Sequence, residues 1–229
     1  MQKGFIIAID GPVASGKGTI APLLAHKLQG FYLDTGVTFR CIALYCLVHG
    51  ISYADEEAVA KVLPDIHIEY QGETIMLNGK DVGNTIRTSD VSRGSSIVAA
   101  QKAVREKATA VWRALAQTKE DQGMVFVAEG RDMGTVVFPE APCKIFMTAT
   151  PEVRAHRRQK QLESRGEKVS FEQVLKETLE RDQRDSTRDI SPLTTTSEAD
   201  GYVAVDNSTI GEEETFAIIL SELQKRSLL

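Results

Sequence analysis

The chain has 229 residues, of which 26% are charged and 42% are hydrophobic. These fractions are ordinary for a globular protein and exclude the charge-rich, apolar-poor composition of a disordered chain. The formal net charge of -5 at pH 7 argues against a protein that coats nucleic acid or an anionic membrane, because both need a basic surface. We therefore expect one compact, enzyme-sized unit that binds neither nucleic acid nor membranes.

The first apolar run, residues 5–9, is continuous rather than alternating, which predicts a buried strand of a parallel sheet. From Lys17 the apolar residues have helical spacing. Pro22 is predicted to bend this helix, and Gly30 is predicted to end it in the left-handed conformation. Residues 31–33 are predicted to form a second short strand.

A helix is predicted over about residues 38–49, and a segment of different character follows. Residues 65–88 alternate between apolar and polar side chains, and Asn78-Gly79 is typical of a tight hairpin turn. This segment is predicted to be a small antiparallel insert. A single long helix is then predicted over about residues 90–118.

Three further apolar runs, residues 124–128, 144–148 and 202–205, each predict a strand. Five strands separated by helices indicate an α/β fold with a parallel five-stranded sheet flanked by helices. In such folds ligands bind at the carboxyl ends of the strands, and polar motifs follow the predicted strands there. The three cysteines form no CxxC pair, and residues 5–9 are too short for a membrane span or a signal peptide. We therefore expect a cytoplasmic protein with reduced thiols.

The segment after the first predicted strand, GPVASGKGT, fits the GxxxxGK phosphate-binding pattern between a strand and a helix. Backbone N–H groups of such a loop surround phosphate oxygens, and the lysine adds a positive charge. Gly18 stands where serine or threonine commonly follows the lysine. The residues predicted to bind the phosphates of a nucleotide are Gly11, Ser15, Gly16, Lys17, Gly18 and Thr19.

Three other segments carry candidate site residues, and each has a structural alternative. Asp34-Thr35-Gly36 with Arg40 could be a helix cap beside a surface arginine, or part of an anion site. Arg131 and Asp132 could be an ion pair, although an arginine at the end of a parallel strand more often binds an anion. The charged run 181–188 could be a solvent-exposed helix face.

The chain resembles the bacterial cytidylate kinase family of the nucleoside monophosphate kinase group. The stretches that carry the resemblance are IAIDGPVASGKGT, YLDTGVTFR, EGRDMGTVVFPEAPCKIFMTA, RAHRR and RDQRDSTRDISPL, which lie in the family's order over nearly the whole chain. The resemblance implies transfer of the γ-phosphate of ATP, with Mg²⁺, directly to CMP or dCMP, giving CDP or dCDP and ADP. It also implies a monomer.

The resemblance implies a role for each candidate residue. It makes Lys17, Arg131, Arg158 and Arg188 catalytic, and it assigns Arg157 to the ATP phosphates. It implies that Asp132 accepts a hydrogen bond from the cytosine amino group, so that UMP is the poorer substrate. The residues implied to bind the acceptor nucleotide are Thr35, Arg40, Ser96, Arg105, Arg131, Asp132, Arg181, Asp185 and Arg188. No metal-binding residue is assigned with certainty; Glu129 could reach Mg²⁺ through water.

The resemblance implies a single P-loop kinase domain over residues 1–229. Its core would be residues 1–62 and 119–229, its acceptor-binding insert about 63–118, and its helical lid about 153–168. Two other functions stay open from the residues alone. One is a P-loop kinase for another small acceptor, such as AMP or shikimate. The other is a nucleotide-dependent switch, which would bind ATP or GTP without transferring phosphate to a small molecule.

Overall fold

The computed structural model of the chain describes residues 4–71, 74–194 and 200–229. Backbone contacts divide the chain into two compact units, which we call unit 1 (Met1–Leu33 and Leu115–Leu229) and unit 2 (Asp34–Ala114). Unit 2 begins well before the predicted insert. Because the predicted core, insert and lid are functional divisions, they stay a prediction.

A five-stranded sheet in the order β2-β6-β1-β7-β8 forms the centre of unit 1. Strand β1 pairs in parallel with β6 and β7, and β7 pairs in parallel with β8. The sheet contains all five predicted strands and confirms the predicted fold class. The strands are β1 (Ile6–Asp10), β2 (Phe31–Asp34), β6 (Phe126–Gly130), β7 (Cys143–Thr148) and β8 (Tyr202–Asp206).

Helices cover the sheet and bury its apolar side chains. Helix α1 packs on the sheet with its buried residues Ile20 and Leu24, which belong to the same core cluster as Ile7 and Ile9 of β1. Both isoleucines are fully buried, as expected for a central parallel strand. The helices that lie wholly in unit 1 are α1 (Lys17–Lys27), α6 (Pro151–Glu163), α7 (Phe171–Thr187) and α8 (Glu212–Lys225).

Unit 2 contains helices and a small antiparallel sheet. The sheet has the order β3-β4-β5, with β3 (Ile68–Gln71), β4 (Thr74–Leu77) and β5 (Lys80–Asp81). The predicted turn joins β4 to β5, and Asn78 and Gly79 both have positive φ, 47° and 75°. The helices are α2 (Thr35–Val48), α3 (Glu56–Val62), α4 (Ser89–Val98) and α5 (Lys102–Asp121), the last of which continues into unit 1; 3₁₀ turns occupy Leu63–Asp65 and Thr85–Arg87.

Two local predictions are wrong. The left-handed residue after α1 is Gln29, with φ of 51°, and not Gly30. Glycine is needed at position 30 for a different reason, since a Cβ there would lie 2.4 Å from the carbonyl oxygen of Val125. The predicted helix over 90–118 is two helices, α4 and α5, because the chain leaves the helical path at residues 99–101.

None of the helices in the described part of the chain is long and apolar enough to cross a membrane. Residues 194–196 are three consecutive threonines, which predict a polar loop, and they fall mostly outside the described residues, which end at 194 on that side.

Candidate active site

The loop between β1 and α1 has the backbone that its glycines permit. Gly11, Ala14 and Gly16 have φ values of 151°, 58° and 94°. Glycine is required at position 11, because a Cβ there would lie 2.0 Å from the carbonyl oxygen of Met147. Helix α1 begins at Lys17, directly after the left-handed Gly16. The loop therefore leads the chain into a helix N-terminus, the arrangement that binds phosphate.

Lys17 lies inside this loop rather than in solvent. Its Nζ donates hydrogen bonds to the carbonyl oxygens of Gly11 (2.8 Å) and Pro12 (2.7 Å) and to Oγ of Ser15 (3.2 Å). Burial and the nearby charge of Arg131 together lower the pKa of Lys17 to about 7. The carboxylates of Glu129 and Asp10 act in the opposite direction. An anionic phosphate would likewise favour the charged lysine.

Glu129, the residue before the Gly130-Arg131-Asp132 segment, lies beside the start of α1. A Cβ on Gly18 would be 3.5 Å from its Oε1, an ordinary contact distance. The hydroxyl of Tyr32 donates a hydrogen bond to the same oxygen. Gly18 thus lies within contact distance of a carboxylate beside the phosphate loop, and Thr19 is the next residue of the helix.

Asn207, which follows β8, joins the phosphate loop to the predicted lid. Its Nδ2 donates to the carbonyl oxygen of Ser15 at 2.9 Å. Arg157 of α6 donates to Oδ1 and to the carbonyl oxygen of Asn207, both at 2.9 Å. The structure therefore connects Arg157 to the phosphate loop through one asparagine. Arg158, its neighbour, donates instead to Oε1 of Gln161 on the same helix.

Arg154 is the buried arginine of α6, and its guanidinium contacts three parts of unit 1. It forms a bidentate pair with Asp182 of α7, at 3.0 and 2.6 Å. It also donates to the carbonyl oxygens of Ala149 (2.9 Å) and of Val13 in the phosphate loop (3.3 Å). The pairing holds α6 and α7 together and ties them to the loop.

Arg131 and Asp185 form a partly buried ion pair. Arg131 Nε donates to Asp185 Oδ2 at 2.8 Å, and their side chains are 17% and 9% exposed. Arg181 Nε lies 3.9 Å from the same oxygen. Burial favours the neutral carboxyl, but the charges of Arg131 and Arg181 outweigh it and hold the pKa of Asp185 below its ordinary value. Two predicted phosphate-binding arginines therefore meet at one carboxylate.

The last predicted arginine of unit 1, Arg188, follows the end of α7. Its Nε donates to the carbonyl oxygen of Ser191 at 2.7 Å, and Ser191 has φ of 52°. The charge of Arg188 contributes to the lowered pKa of Asp185, so the two residues lie close enough to interact. The charges of Arg131, Arg181 and Arg188 thus all act on the carboxylate of Asp185.

Asp132 is buried and lies at the start of a π-helical turn, Met133–Val137. Its backbone carbonyl accepts hydrogen bonds from the N–H groups of Val136 (2.9 Å) and Val137 (3.0 Å). Turns of this type interrupt regular helix geometry and recur at functional sites. The turn fixes the backbone of Asp132 directly after Arg131.

Unit 2 holds the other predicted acceptor-binding residues. Asp34 caps α2 by accepting from the N–H of Gly36 at 2.9 Å, and Thr35 is the buried first residue of that helix. Arg40, one turn later, donates to the carbonyl oxygen of Ile86 (3.0 Å) and to Oγ of Ser92 (2.6 Å). The segment is therefore a helix cap, as one alternative predicted, while the anion site stays a prediction.

Ser96 and Arg105, the predicted base-reading residues, lie in α4 and α5. The Oγ of Ser96 is buried without a hydrogen-bond partner among the described residues. Arg105 is buried; its Nη1 donates to the carbonyl oxygen of Ala99 at 3.0 Å, and its guanidinium lies 5.4 Å from the centre of the Phe39 ring. The break between α4 and α5 exposes the carbonyl that holds this arginine.

A hydroxyl of α2 connects three elements of unit 2. Thr38 Oγ1 accepts from Nε1 of the fully buried Trp112 at 2.8 Å and lies 2.6 Å from the hydroxyl of Tyr70. The ring of Trp112 meets Phe39 edge to face. These contacts fix the turn of α2 that carries Phe39 and Arg40.

Among residues 4–71, 74–194 and 200–229, no group of three or more His, Cys, Asp or Glu could by itself hold a metal ion. Mg²⁺ does not need such a group, because it binds through one or two protein oxygens, waters and substrate phosphates. Glu129 supplies a carboxylate beside the phosphate loop, and Thr19 is a hydroxyl-bearing residue of the first turn of α1. The residues present therefore fit a nucleotide-bound Mg²⁺.

A family model described as cytidylate kinase matches residues 7–225 of the chain. The chain belongs to this family. One relative, the cytidylate kinase of Stutzerimonas stutzeri, is 44% identical to this chain, and the match covers 97% of this chain and 96% of the relative. The cytidylate kinase of Fervidobacterium nodosum is 42% identical over 96% of each. Membership of this family confirms the resemblance that the sequence motifs indicated. It also confirms the enzyme class, which is an ATP-dependent nucleoside monophosphate kinase.

Solved structures that resemble this cytidylate kinase family member are more distant. An uncharacterized protein from Eubacterium ventriosum has a TM-score of 0.55 at 14% identity, covering 97% of the chain and 99% of its own. A sugar kinase from Janibacter has a TM-score of 0.50 at 13% identity, covering 96% and 95%. These likenesses show the fold alone.

Sequence analysis missed three residues that the structure connects to the site: Asp10, Arg154 and Asn207. Asp10 and Asn207 directly border the carboxyl ends of β1 and β8, where ligands bind in parallel sheets, and that position was the available signal. Arg154 had no such signal, because an arginine in a basic helix is usually exposed.

Proposed function

We propose that this member of the cytidylate kinase family transfers the γ-phosphate of ATP to CMP or dCMP, giving CDP or dCDP and ADP. The observation that carries the proposal is the family match over residues 7–225, and the buried lysine of the glycine-rich loop and the Arg131–Asp185 pair support it. A phosphate oxygen of the acceptor attacks in line, and no covalent enzyme intermediate forms. Because that phosphate is already anionic near neutral pH, the chain needs no strong general base.

In unit 1, Lys17 and the loop N–H groups of residues 11–19 hold the ATP phosphates, as the contacts of Lys17 within the loop support. Arg157 and Arg158 of the lid neutralise charge on the transferred group. Arg131 and Arg188 orient the acceptor phosphate, and Arg181 and Asp185 complete that cluster, with Asp185 available to the ribose hydroxyls. Mg²⁺, held near Glu129 and Thr19, would supply further charge neutralisation.

The base is selected by hydrogen bonding. Asp132 accepts from the cytosine amino group, whereas it would face the O4 acceptor of uracil. In unit 2, Ser96 and Arg105 bind the base, and Thr35 and Arg40 bind the acceptor nucleotide. The Oγ of Ser96, which has no partner within the described part of the chain, and the guanidinium of Arg105 over the Phe39 ring support this assignment. A hydrogen-bonding site can reject an analogue with mismatched groups strongly, because buried polar atoms are then left unpaired.

We propose a monomer that acts in the cytoplasm on small nucleotides and contacts neither nucleic acid nor membranes. The net charge of -5 supports the last part. Gel filtration with light scattering tests the monomer, and a dimer mass at assay concentration would contradict it.

The test of the activity is ADP production from MgATP with CMP, dCMP, UMP, AMP and shikimate offered separately. We expect turnover with CMP and dCMP well above that with UMP, and turnover lowered by about 100-fold or more in Lys17→Ala. Preference for AMP or shikimate would move the chain to another P-loop kinase activity. Equal slow hydrolysis with every acceptor would favour a nucleotide-dependent switch and reject the proposal.

A further inference from the structure

Asp10, the last residue of β1, is a buried carboxylate whose oxygens both accept hydrogen bonds. Its Oδ1 accepts from the N–H of Met133 at 2.7 Å, and its Oδ2 accepts from the N–H of Gly134 at 2.8 Å and from the hydroxyl of Tyr202 at 2.7 Å. The residue is 1% exposed. A carboxylate buried this deeply is costly unless it is bonded in this way.

The two N–H groups belong to the first residues of the π-helical turn Met133–Val137. The first N–H groups of a helical turn have no partner within the turn, and a carboxylate at that end also interacts favourably with the backbone dipoles. Asp10 therefore caps the turn from a different part of the chain, and it does so directly before the phosphate loop begins at Gly11.

Tyr202, the first residue of β8, closes this arrangement. Its ring is buried beneath Nζ of Lys144, at 5.5 Å, and its hydroxyl bonds Asp10. A Cβ on Gly134 would lie 2.5 Å from the Tyr202 hydroxyl oxygen and 2.7 Å from Cδ of Lys144. Only glycine therefore lets the backbone at position 134 come this close to the tyrosine.

We infer that Asp10 and Tyr202 are positioning residues, which hold Arg131 and Asp132 in place by capping the π-helical turn that follows them. The backbone of Asp132 is fixed from both sides, because its carbonyl accepts from Val136 and Val137 while the next two N–H groups bond Asp10. Burial raises the pKa of Asp10, and its hydrogen bonds partly offset that shift.

The inference rests on the proposed function for its catalytic readout, but the geometry can be tested without any nucleotide. The first variant is Tyr202→Phe, which removes one hydroxyl and keeps the ring. Tyr45→Phe, on the half-buried part of α2, is the matched control. Amide hydrogen exchange of the peptide covering residues 131–138 is measured by mass spectrometry on both proteins and the wild type, without nucleotide.

We expect exchange in residues 131–138 to be about tenfold faster in Tyr202→Phe and unchanged in Tyr45→Phe, because a loosened cap opens the turn more often. In turnover assays we expect the KM for CMP to rise about tenfold and the CMP-to-UMP preference to fall, with the KM for ATP unchanged. Asp10→Asn, which places an NH₂ donor against the backbone donors, should change the same quantities further.

A lowered melting temperature with unchanged exchange in this peptide and unchanged kinetic constants would overturn the inference, since the residues would then only stabilise the fold. A proportionate rise in the KM for both ATP and CMP would also overturn it. If the wild type fails to phosphorylate CMP, the proposed function fails, and the exchange comparison still decides whether Asp10 and Tyr202 fix the turn.

Discussion

The charged cluster of unit 1 and Ser96 of unit 2, the residue that we propose to bind the base, differ in how their polar atoms are satisfied. Arg131 already pairs with Asp185, and the pair is mostly buried. In contrast, the Oγ of Ser96 is buried without a partner among the described residues. The charged cluster is held by contacts within the chain, while Ser96 has hydrogen-bonding capacity that none of the described residues fills.

The cost of burial explains the difference. An unpaired buried charge costs several kcal/mol, so the arginines and carboxylates of unit 1 must have partners before any nucleotide arrives. A buried hydroxyl without a partner costs only about 1–3 kcal/mol, which a marginally stable protein can tolerate at a functional residue. Under the proposed function, phosphate binding would therefore use a preformed charged cluster, and Ser96 would add a hydroxyl that has no partner among the described residues.

Removing the central charge of the phosphate loop should have the largest effect. We expect Lys17→Ala to lower kcat with CMP by about 10²- to 10³-fold, because the lysine charge acts on the transferred phosphate. Lys27→Ala, in the last turn of the same helix and exposed, is the matched control and should turn over at the wild-type rate. Steady-state ADP production measures both variants. A kcat within threefold of wild type would contradict the role of Lys17.

The next largest effect concerns the choice of base. We expect Asp132→Ala to reduce the CMP-to-UMP ratio of kcat/KM by about 10- to 100-fold, because the carboxylate accepts from the cytosine amino group and opposes the uracil oxygen. The KM for ATP should change little. Competition assays with both acceptors in one reaction measure the ratio directly, and an unchanged ratio would reject this role.

Much of the fold followed from the sequence because it rests on local patterns. The apolar runs of the sheet strands and the Asn78-Gly79 turn were predicted from residue type and period alone. The break at residues 99–101 was not, because Ala99-Ala100-Gln101 are good helix formers. The helix is interrupted there, and the carbonyl oxygen of Ala99 accepts a hydrogen bond from Arg105.

The candidate site was predictable where a motif stood next to a strand end, as for Lys17 and Arg131. It was not predictable where partners are distant along the chain. The hydrogen-bond donors to Asp10 lie 123, 124 and 192 residues later in the chain, and no local sequence pattern predicts such a cluster. Arg154 looked like one more basic residue of the lid, and only the fold brings Asp182 and Val13 to it.

The Arg131–Asp185 pair gives a stability prediction of intermediate size. We expect Asp185→Asn to lower the free energy of unfolding at pH 7 by about 1–3 kcal/mol, because Arg131 loses a buried charged partner. The pKa of Asp185 is held below its ordinary value in the folded state. Its contribution is therefore full above the ordinary carboxyl pKa of 3.8 and is lost as the pH falls through the folded-state pKa.

Urea unfolding of wild type and Asp185→Asn at several pH values from 7 to 3 measures this contribution. Asp90→Asn is the matched control, because Asp90 pairs with Arg93 at 3.2 Å while both side chains are more than two-thirds exposed, 71% and 76%. Exposed pairs contribute little, so this variant should match wild type. If both variants lost the same free energy of unfolding, the buried Arg131–Asp185 pair would contribute no more to stability than an exposed pair.

The smallest expected effect is the sharpest test of the contrast between the units. Ser96→Ala should raise the KM for CMP about three- to tenfold, because one hydrogen bond to the base is lost, and should leave the KM for ATP unchanged. It should not lower the free energy of unfolding, since the Oγ that it removes has no partner in the described chain.

Ser95→Ala is the matched control, because the Ser95 hydroxyl donates within α4 to the carbonyl oxygen of Ser92. Its removal should affect stability but not the KM for CMP. If Ser96→Ala instead destabilises the protein and leaves the KM for CMP unchanged, Ser96 belongs to the packing of unit 2, and the unfilled polar atom has another explanation than base selection.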